Sequence, residues 1–245
     1  MRLSNLVPGL NGEDGRKLVT GFAIDHRKIA PGNIFGAFRG TRFNGEDFID
    51  AAVAAGAIAI VALPDAVVEG ALHIADDEPR HLFAATAGRY FTPVPKNIAA
   101  VTGTNGKTSI AELTRQLWRM DGHSSASIGT LGVTTADEQV KTGLTTPDIV
   151  TFLSNMSGLA REGVSHVVDE ASSHGLSQFR SEGRPVQIAA FSNLGRDHLD
   201  YRGDMEGYFE AKVRLFDEVI APDGTAVIWA DDEHWSERVI RRVMD

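Results

Sequence analysis

The segment Val101–Thr108, which reads V-T-G-T-N-G-K-T, constrains this chain more than any other feature of its sequence. Its first two residues end Ile98–Thr102, an apolar run typical of a buried strand. Its last two residues begin Lys107–Met120, which has helical periodicity. A glycine-rich turn between a strand and a helix N-terminus binds phosphate, because backbone N–H groups and the positive end of the helix dipole point at the ligand. The sequence therefore predicts a phosphate-binding loop in an α/β domain.

Each residue type in this loop has its own role. Gly103 and Gly106 let the backbone turn sharply and approach phosphate oxygens. Lys107 supplies a positive charge, and the Thr108 hydroxyl can bind Mg²⁺. Val101 stands where the general pattern G-x-x-x-x-G-K-[ST] has its first glycine. A glycine-rich turn that merely precedes a lysine is the less favoured alternative, because strand, loop and helix occur in the required order. The predicted phosphate-binding residues are Gly103, Thr104, Asn105, Gly106, Lys107 and Thr108.

The whole chain alternates strand and helix patterns, which is typical of parallel βαβ units. Two prolines within Thr92–Lys96 favour a stiff, extended connection, so we place a domain boundary there. The prediction is an α/β fold with a small N-terminal domain over residues 1–95 and a doubly wound P-loop domain over residues 96–245.

Several elements of the second region are predicted from their apolar patterns. The expected strands are Ser125–Leu131, His166–Glu170, Ile188–Phe191 and Thr225–Trp229, and a helix is expected over Asp204–Ile220. The helix that follows the loop has one apolar face, formed by Ile110, Leu113, Thr114, Leu117 and Trp118. These elements would surround the loop in a single sheet.

Composition excludes several classes of protein. The formal charge of −9 argues against binding to nucleic acid, and the absence of cysteine excludes disulfides and thiolate metal sites. Met1–Leu10 has no signal-peptide pattern, and no apolar run is long enough to span a bilayer. We therefore expect a soluble cytoplasmic protein that binds neither nucleic acid nor membranes. We also expect it to be a monomer.

Glu170 ends the apolar run Val167–Glu170. Ligands of open α/β sheets collect at the carboxyl ends of strands, so this carboxylate could hold the Mg²⁺ that accompanies a nucleotide. Asp169 competes for that role, but strand alternation turns it to the opposite side. An ordinary acidic residue at a strand end is an equal alternative.

A polar segment, Asn193–Asp200, follows the next expected strand. Its two acids, arginine and histidine suggest a polar site, and this location makes His198 a metal candidate. The acidic run Asp231–Glu233 is better interpreted as a solvated turn.

Lys212 lies within an apolar helical stripe, four residues after Tyr208 and four before Phe216. One interpretation is that its stem is buried and its ammonium reaches water. The other is that burial lowers its pKa, so that a neutral amine reacts with CO₂ to form a carbamate that binds metal. Physical grounds alone favour the first interpretation.

Together these segments resemble the Mur ligases, the ATP-dependent amide ligases of peptidoglycan synthesis, and within them the MurE branch. The motifs are T-G-T-N-G-K-T-S at Thr102–Ser109, T-T-P-D at Thr145–Asp148, E-A-S-S-H-G-L at Glu170–Leu176, N-L-G-R-D-H-L-D-Y at Asn193–Tyr201 and E-A-K at Glu210–Lys212. The loop alone would also suit folylpolyglutamate synthetases, whereas the T-T-P and S-S-H-G-L pair points to the MurE branch.

The resemblance implies roles for these residues. Gly103–Thr108 would bind ATP, Thr108 and Glu170 would bind one Mg²⁺, and His198 would bind a second. Lys212 matches the family's carbamylated lysine and would serve as a metal ligand. Lys107, Lys212 and His198 are the catalytic candidates.

Residues for the other substrate also follow from the resemblance. Those that match the muramoyl-peptide contacts are Thr145, Thr146, Ser172, Gln178 and Arg180, and those that match the nucleotide-sugar contacts are Ile24, His26, Thr41, Arg42 and Phe43. His26 departs from the family's usual serine.

The implied reaction adds the third amino acid, meso-diaminopimelate or L-lysine, to UDP-MurNAc-L-Ala-D-Glu through an acyl phosphate. Family members continue beyond the point that matches Asp245, into a domain that binds the amino acid. A non-catalytic fragment that binds nucleotide or UDP-sugar is therefore an alternative. An unrelated P-loop kinase or GTPase would leave the other motifs unexplained.

Overall fold

The computed structural model describes residues 1–40, 43–141, 143, 145–195, 205–231 and 234–244. They form two compact units, Met1–Thr92 and Pro93–Asp245. Each unit is an α/β structure built on its own sheet. Within the described ranges, no helix is both long enough and apolar enough to cross a membrane.

The first unit has a four-stranded parallel sheet in the order β1-β2-β3-β4. Its strands are β1 (Gly21–Ala23), β2 (Asn33–Gly36), β3 (Ala59–Ala62) and β4 (Leu72–Ala75), and its helices are α1 (Gly12–Arg16), α2 (Ile49–Ala54) and α3 (Pro79–Tyr90). Phe83 on α3 is fully buried and contacts Phe22 and Phe38 edge-on, each with ring centroids 5.4 Å apart. The edge-to-face geometry is favoured between aromatic rings, so these contacts pack α3 onto the sheet.

The second unit has a seven-stranded sheet in the order β11-β10-β5-β9-β6-β7-β8. Its strands are β5 (Asn97–Thr102), β6 (Ser125–Gly129), β7 (Gly132–Thr134), β8 (Gln139–Val140), β9 (His166–Glu170), β10 (Val186–Phe191) and β11 (Ile220–Ile228). Its helices are α4 (Lys107–Met120), α5 (Ile149–Arg161), α6 (Ser173–Ser177), α7 (Met205–Arg214) and α8 (Trp235–Met244). This order places β5 between β9 and β10, so the loop after β5 lies at the centre of the sheet.

The sheet is mixed and not wholly parallel. The strand expected over Ser125–Leu131 ends at Gly129, and β7 returns antiparallel to it. Gly132 permits this return, because it has φ +93° and an added Cβ would lie 2.0 Å from the Val140 carbonyl oxygen. A continuous strand over Ser125–Leu131 was therefore a wrong expectation.

The helix expected over Asp204–Ile220 is shorter and changes type. Its described part is α-helical over Met205–Arg214, becomes a π-helical turn over Leu215–Val219, and passes directly into β11. Pro222 cannot continue a helix, since it lacks an N–H group. The last strand consequently begins at Ile220, before the expected Thr225.

The apolar face of α4 is not the face that packs on the sheet. Leu113 and Leu117 are 59% and 62% exposed, whereas Ala111 and Arg115 are buried. Ala111 contacts the core of β5 and β9, with Trp118 packed at its edge. The small Ala111 side chain lets the helix lie close to the sheet, whereas Leu113 and Leu117 face away from it.

This difference in burial predicts that leucine-to-alanine substitutions on α5 and α4 lower the free energy of unfolding by different amounts. Leu153→Ala on α5 should lower the free energy of unfolding by about 2–5 kcal/mol, because Leu153 is fully buried. Leu117→Ala on α4 should change it by less than about 0.5 kcal/mol. Urea unfolding of both variants measures this, and an equal loss in Leu117→Ala would show that the outer face of α4 is packed.

Candidate active site

The carboxyl ends of four strands meet at one edge of the second sheet. The loop after β5, Glu170 at the end of β9, Thr130 after β6 and Ser192–Asn193 after β10 come together there. A cavity of about 290 Å³ opens between them. This edge of an α/β sheet is where ligands bind.

Gly103 and Gly106 shape the loop for different reasons. Gly103 has φ +147°, and a Cβ there would lie 1.9 Å from the Ser192 hydroxyl oxygen. Gly106 has φ +84° and directly precedes the first residue of α4. Only glycine adopts both conformations readily, so the two positions fix where the loop turns.

Asn193 holds the loop from the neighbouring strand. Its carbonyl accepts the Thr104 N–H at 2.9 Å, and its side-chain oxygen accepts the Asn105 N–H at 2.9 Å. Its side-chain amide donates to the Asn105 carbonyl at 3.1 Å. Gly195 N–H donates to the Thr104 hydroxyl at 2.9 Å. These bonds position the loop before any ligand arrives.

The N-terminus of α4 is suited to an anion. The first N–H groups of a helix lack intrahelical partners, and Gly106 has no side chain to cap them. At α5, by contrast, the Asp148 carboxylate accepts from Val150 and Thr151 N–H at 3.0 and 3.1 Å. Of these two helix ends, only the start of α4 is open to a bound phosphate, on which the helix dipole can then act.

Two lysines converge on one carbonyl of the loop. Lys107 Nζ donates to the Gly103 oxygen at 2.9 Å and to the Thr104 oxygen at 3.0 Å. Lys212 Nζ donates to the same Gly103 oxygen at 2.7 Å and lies 4.4 Å from the Tyr208 ring centroid. Lys212 is only 1% exposed, so the interpretation in which its ammonium reaches water is wrong.

Glu170 lies in a closely fitted polar pocket. Its Oε1 accepts the Thr130 N–H at 2.9 Å, and its Oε2 accepts the Thr108 and Thr130 hydroxyls at 2.8 and 3.1 Å. A Cβ on Gly129 would lie 2.0 Å from Oε1, so only glycine leaves space for this carboxylate. Sequence reasoning missed Gly129 and Thr130, although a Gly-Thr pair at a strand end was a usable signal.

Thr108 and Glu170 fit a Mg²⁺ ion that arrives with a nucleotide. Both offer oxygen atoms at the cavity wall, and Mg²⁺ is usually bound by one or two protein oxygens together with phosphates and water. In the ranges that the structure describes, no three His, Cys, Asp or Glu side chains group as a metal site. His198, expected at a second metal, lies outside the described residues, as do Asp232 and Glu233.

The residues expected to contact the muramoyl peptide form a connected group. Thr145 and Ser172 line the cavity, and the Thr145 hydroxyl is 3.1 Å from that of Thr130. Thr146 is buried, with its hydroxyl 2.9 Å from that of Ser172. Arg180 donates to the Thr146 carbonyl at 3.4 Å and to the Gln178 side-chain oxygen at 2.6 Å. Burial lowers the pKa of Arg180.

The residues expected to contact the nucleotide sugar belong to the first unit. After Ile24, Asp25 forms a two-point ion pair with Arg27, which lowers the pKa of that carboxyl to about 2. The His26 ring stacks on Phe48, with centroids 4.3 Å apart. Phe43 is exposed. Thr41 and Arg42 lie outside the described residues.

Comparison with known proteins identifies relatives of both units. A family model described as "Mur ligase middle domain" matches residues 101–244, and one described as "Mur ligase family, catalytic domain" matches residues 18–102. A UDP-N-acetylmuramoyl-L-alanyl-D-glutamate--2,6-diaminopimelate ligase from Zymomonas mobilis subsp. mobilis is 60% identical over 224 residues, which is 91% of this chain and 46% of that protein. Its namesake from Bradyrhizobium diazoefficiens is 48% identical over 90% of this chain and 46% of that protein.

A solved structure of a ligase with the same printed name superposes with a TM-score of 0.86 and 33% identity, over 98% of this chain and 49% of that one. MurF ligase from Thermotoga maritima in complex with ADP has a TM-score of 0.57 at 21% identity, over 90% of this chain and 48% of that one, and shares the fold. The chain spans about half the length of the relatives that it matches.

Asp169 lies beside the site but on the other side of β9. It is almost fully buried, and among the described residues neither of its carboxylate oxygens has a hydrogen-bond partner of good geometry. Burial raises its pKa to about 7, the negative charge of Glu170 adds to this, and Ser181 opposes it only in part. Asp169 is therefore a titrating group of the core and not a wall of the cavity.

This pKa predicts a loss of stability as pH rises. The unfolded chain releases the Asp169 proton near its ordinary pKa of 3.8, whereas the folded chain keeps it to about 7, so stability falls between these values. Asp169→Asn should remove that part of the loss, so its urea midpoint should rise relative to that of wild type between pH 3.8 and about 7 and stay higher above that. Asp137→Asn, at an exposed position, is the control. Equal pH dependence in wild type and Asp169→Asn would contradict the assignment.

Proposed function

The chain belongs to the Mur ligase family, and on that basis we propose that it acts in an ATP-dependent ligase that adds meso-diaminopimelate to UDP-MurNAc-L-Ala-D-Glu. The choice of amino acid rests on the printed names of the relatives that are 60% and 48% identical. The observation that carries the proposal is the cavity formed by the loop, Glu170 and Lys212. A reaction that consumes ATP and builds a peptidoglycan precursor belongs in the cytoplasm.

In this proposal the second unit binds ATP, with its phosphates on the loop Gly103–Thr108. The uncapped start of α4 and the Lys107 ammonium would face the triphosphate. Thr108 and Glu170 would hold Mg²⁺, which supplies charge neutralisation at the transferring phosphoryl group. Lys107 would exchange its bonds to the Gly103 and Thr104 carbonyls for bonds to phosphate oxygens.

The reaction must first activate a carboxylate. A carboxylate cannot expel oxide, so the γ-carboxylate of D-glutamate attacks the γ-phosphorus of ATP, ADP leaves, and an acyl phosphate forms. The amine of the amino acid then attacks the acyl carbon, and phosphate leaves. Lys107 and the helix N-terminus stabilise the charge on the phosphoryl oxygens, and such fixed electrostatics are commonly the largest catalytic contribution.

Lys212 would act as a carbamate. The ammonium would first release one proton to solvent, and the neutral amine would then attack CO₂ and release a second. The change from cation to anion gives a carbamate that can bind a metal. The position favours this change, because Nζ lies in a cavity wall at 2.7 Å from the Gly103 oxygen and the carbamate nitrogen keeps one hydrogen to donate there.

The other substrate would reach the cavity from the side of Thr145 and Ser172. Both line the same cavity as the loop, and in this proposal the D-glutamyl carboxylate would lie between them and the triphosphate. Arg180, next to Thr146, would pair with a carboxylate of the muramoyl peptide. We propose that the first unit binds the UDP-sugar, with Ile24, His26 and Phe43 among its contacts.

A second candidate is a binding role without turnover. It is favoured by one observation, that this chain spans 46% of its two named relatives. In that case the chain would bind ATP or the UDP-sugar, while amide formation would need the part of those proteins with no counterpart in this chain. The two candidates share the same loop and cavity.

Phosphate release from ATP tests both. This chain and the full-length Zymomonas relative are each incubated with Mg²⁺, UDP-MurNAc-L-Ala-D-Glu and either meso-diaminopimelate or L-lysine, and the product is identified by mass. We expect phosphate release when the amino acid supplied is meso-diaminopimelate. In the active protein Lys107→Ala should lower kcat by about 10²–10³-fold, a loss typical of removing one charge-stabilising donor.

Lys212→Ala, or its counterpart in the relative, should be inactive and partly rescued by short carboxylates that replace the carbamate. Turnover by the relative alone would support the binding role for this chain. No release by either protein would contradict the ligase proposal, and full activity of Lys212→Ala without added carboxylate would contradict the carbamate.

A further inference from the structure

Helix α6 ends in an unusual cap at Phe179. Phe179 N–H donates to the Leu176 carbonyl at 3.1 Å, and Arg180 N–H donates to the Gly175 carbonyl at 2.9 Å. This pair of bonds is the Schellman motif, in which the residue just past the helix is left-handed. Phe179 has φ +57°, at a position that glycine normally fills.

The left-handed conformation is strained for phenylalanine, because its Cβ crowds the following carbonyl. Among the described residues, Phe179 is the only non-glycine residue with positive φ. Glycine would form the same turn without strain. Strain of this kind persists where the surroundings hold it in place, and it clusters at functional sites.

Arg214 holds the strained residue from α7. The Phe179 ring is 9% exposed, and the Arg214 guanidinium lies 4.3 Å from its centroid, within the range of a cation–π contact. Arg214 also donates to the Leu176 carbonyl at 3.2 Å and to the buried Glu182 carboxylate at 3.0 Å. The turn is thus fixed to α7 two residues beyond Lys212.

The turn determines where two proposed substrate contacts lie. Gln178 and Arg180 flank Phe179 and bond to each other at 2.6 Å. Gln178 is also 2.9 Å from the His174 ring, and Arg180 reaches the Thr146 carbonyl at 3.4 Å. The Arg180 guanidinium is therefore aimed at the Thr145–Thr146 segment beside the cavity.

We propose that Phe179 is a positioning residue: clamped by Arg214, it fixes the turn that directs Arg180 towards a carboxylate of the bound muramoyl peptide. This inference rests on the proposed function and adds a residue that touches no substrate. The strain of the turn is offset by the contact between the Phe179 ring and the Arg214 guanidinium, which glycine could not make. The same clamp ties the position of Arg180 to the helix that carries Lys212.

Two variants of this chain separate the ring from the turn. Phe179→Gly keeps the left-handed turn and removes the ring, and Phe179→Tyr keeps both. Calorimetric titrations with UDP-MurNAc-L-Ala-D-Glu, with UDP-MurNAc and with Mg²⁺·ATP measure the three affinities. Hydrogen exchange at the Arg180 amide reports on the turn without any ligand.

We expect Phe179→Gly to weaken binding of the dipeptide ligand by about tenfold or more, since an unfixed Arg180 must be ordered on binding. Its affinity for UDP-MurNAc and for ATP should stay within about twofold of wild type, because neither ligand offers the peptide carboxylate. Exchange at the Arg180 amide should accelerate. Phe179→Tyr should restore both the affinity and the slow exchange.

Unchanged affinity of Phe179→Gly for the dipeptide ligand would overturn the positioning role. An equal loss of affinity for all three ligands would also overturn it, because that result indicates that Phe179 only stabilises the fold. Slow exchange at Arg180 in Phe179→Gly would show that the ring does not fix the turn. A wild-type chain that binds ATP but not the dipeptide ligand would contradict the proposed function itself, a result distinct from these.

Discussion

The site depends on the Gly103 carbonyl, which both Lys107 and Lys212 contact, at 2.9 and 2.7 Å. This bond joins two segments that are far apart in sequence, the phosphate loop and helix α7. The loop can adopt this conformation only because Gly103 has no side chain. A Cβ there would collide with Ser192, which follows strand β10. A single backbone conformation therefore brings the loop and both lysines together. The helix end, Asn193 and Glu170 complete the cavity around it.

The charges around the loop explain why the arrangement suits a triphosphate. Lys107 and an uncapped helix N-terminus concentrate positive potential at the loop, and a low local dielectric strengthens it. Glu170 is the balancing anion, held by Thr108 and Thr130 hydroxyls that can turn towards a metal ion instead. In the proposed function, these groups would bind both parts of Mg²⁺·ATP.

Local patterns predicted the parts of this structure that depend on local chemistry. The loop, the strands β5 and β9 and the position of Glu170 follow from glycine placement and apolar runs. Features that depend on packing did not follow: α4 presents Ala111 to the sheet and exposes Leu113, which periodicity cannot foresee. The environment of Lys212 required the tertiary fold, because the Gly103 oxygen lies 109 residues away in sequence. Gly129 and Thr130 were missed because the role of this Gly-Thr pair shows only when β9 places Glu170 beside it.

The most direct test of the central claim is the Mg²⁺ dependence of ATP binding, measured by calorimetry with Mg²⁺ and with EDTA. If Thr108 and Glu170 hold the metal beside the loop, wild type should bind ATP more tightly with Mg²⁺, and the isosteric Glu170→Gln should lose that advantage while keeping its metal-free affinity. A Glu170→Gln variant whose ATP affinity gains as much from Mg²⁺ as wild type would contradict this account of the site.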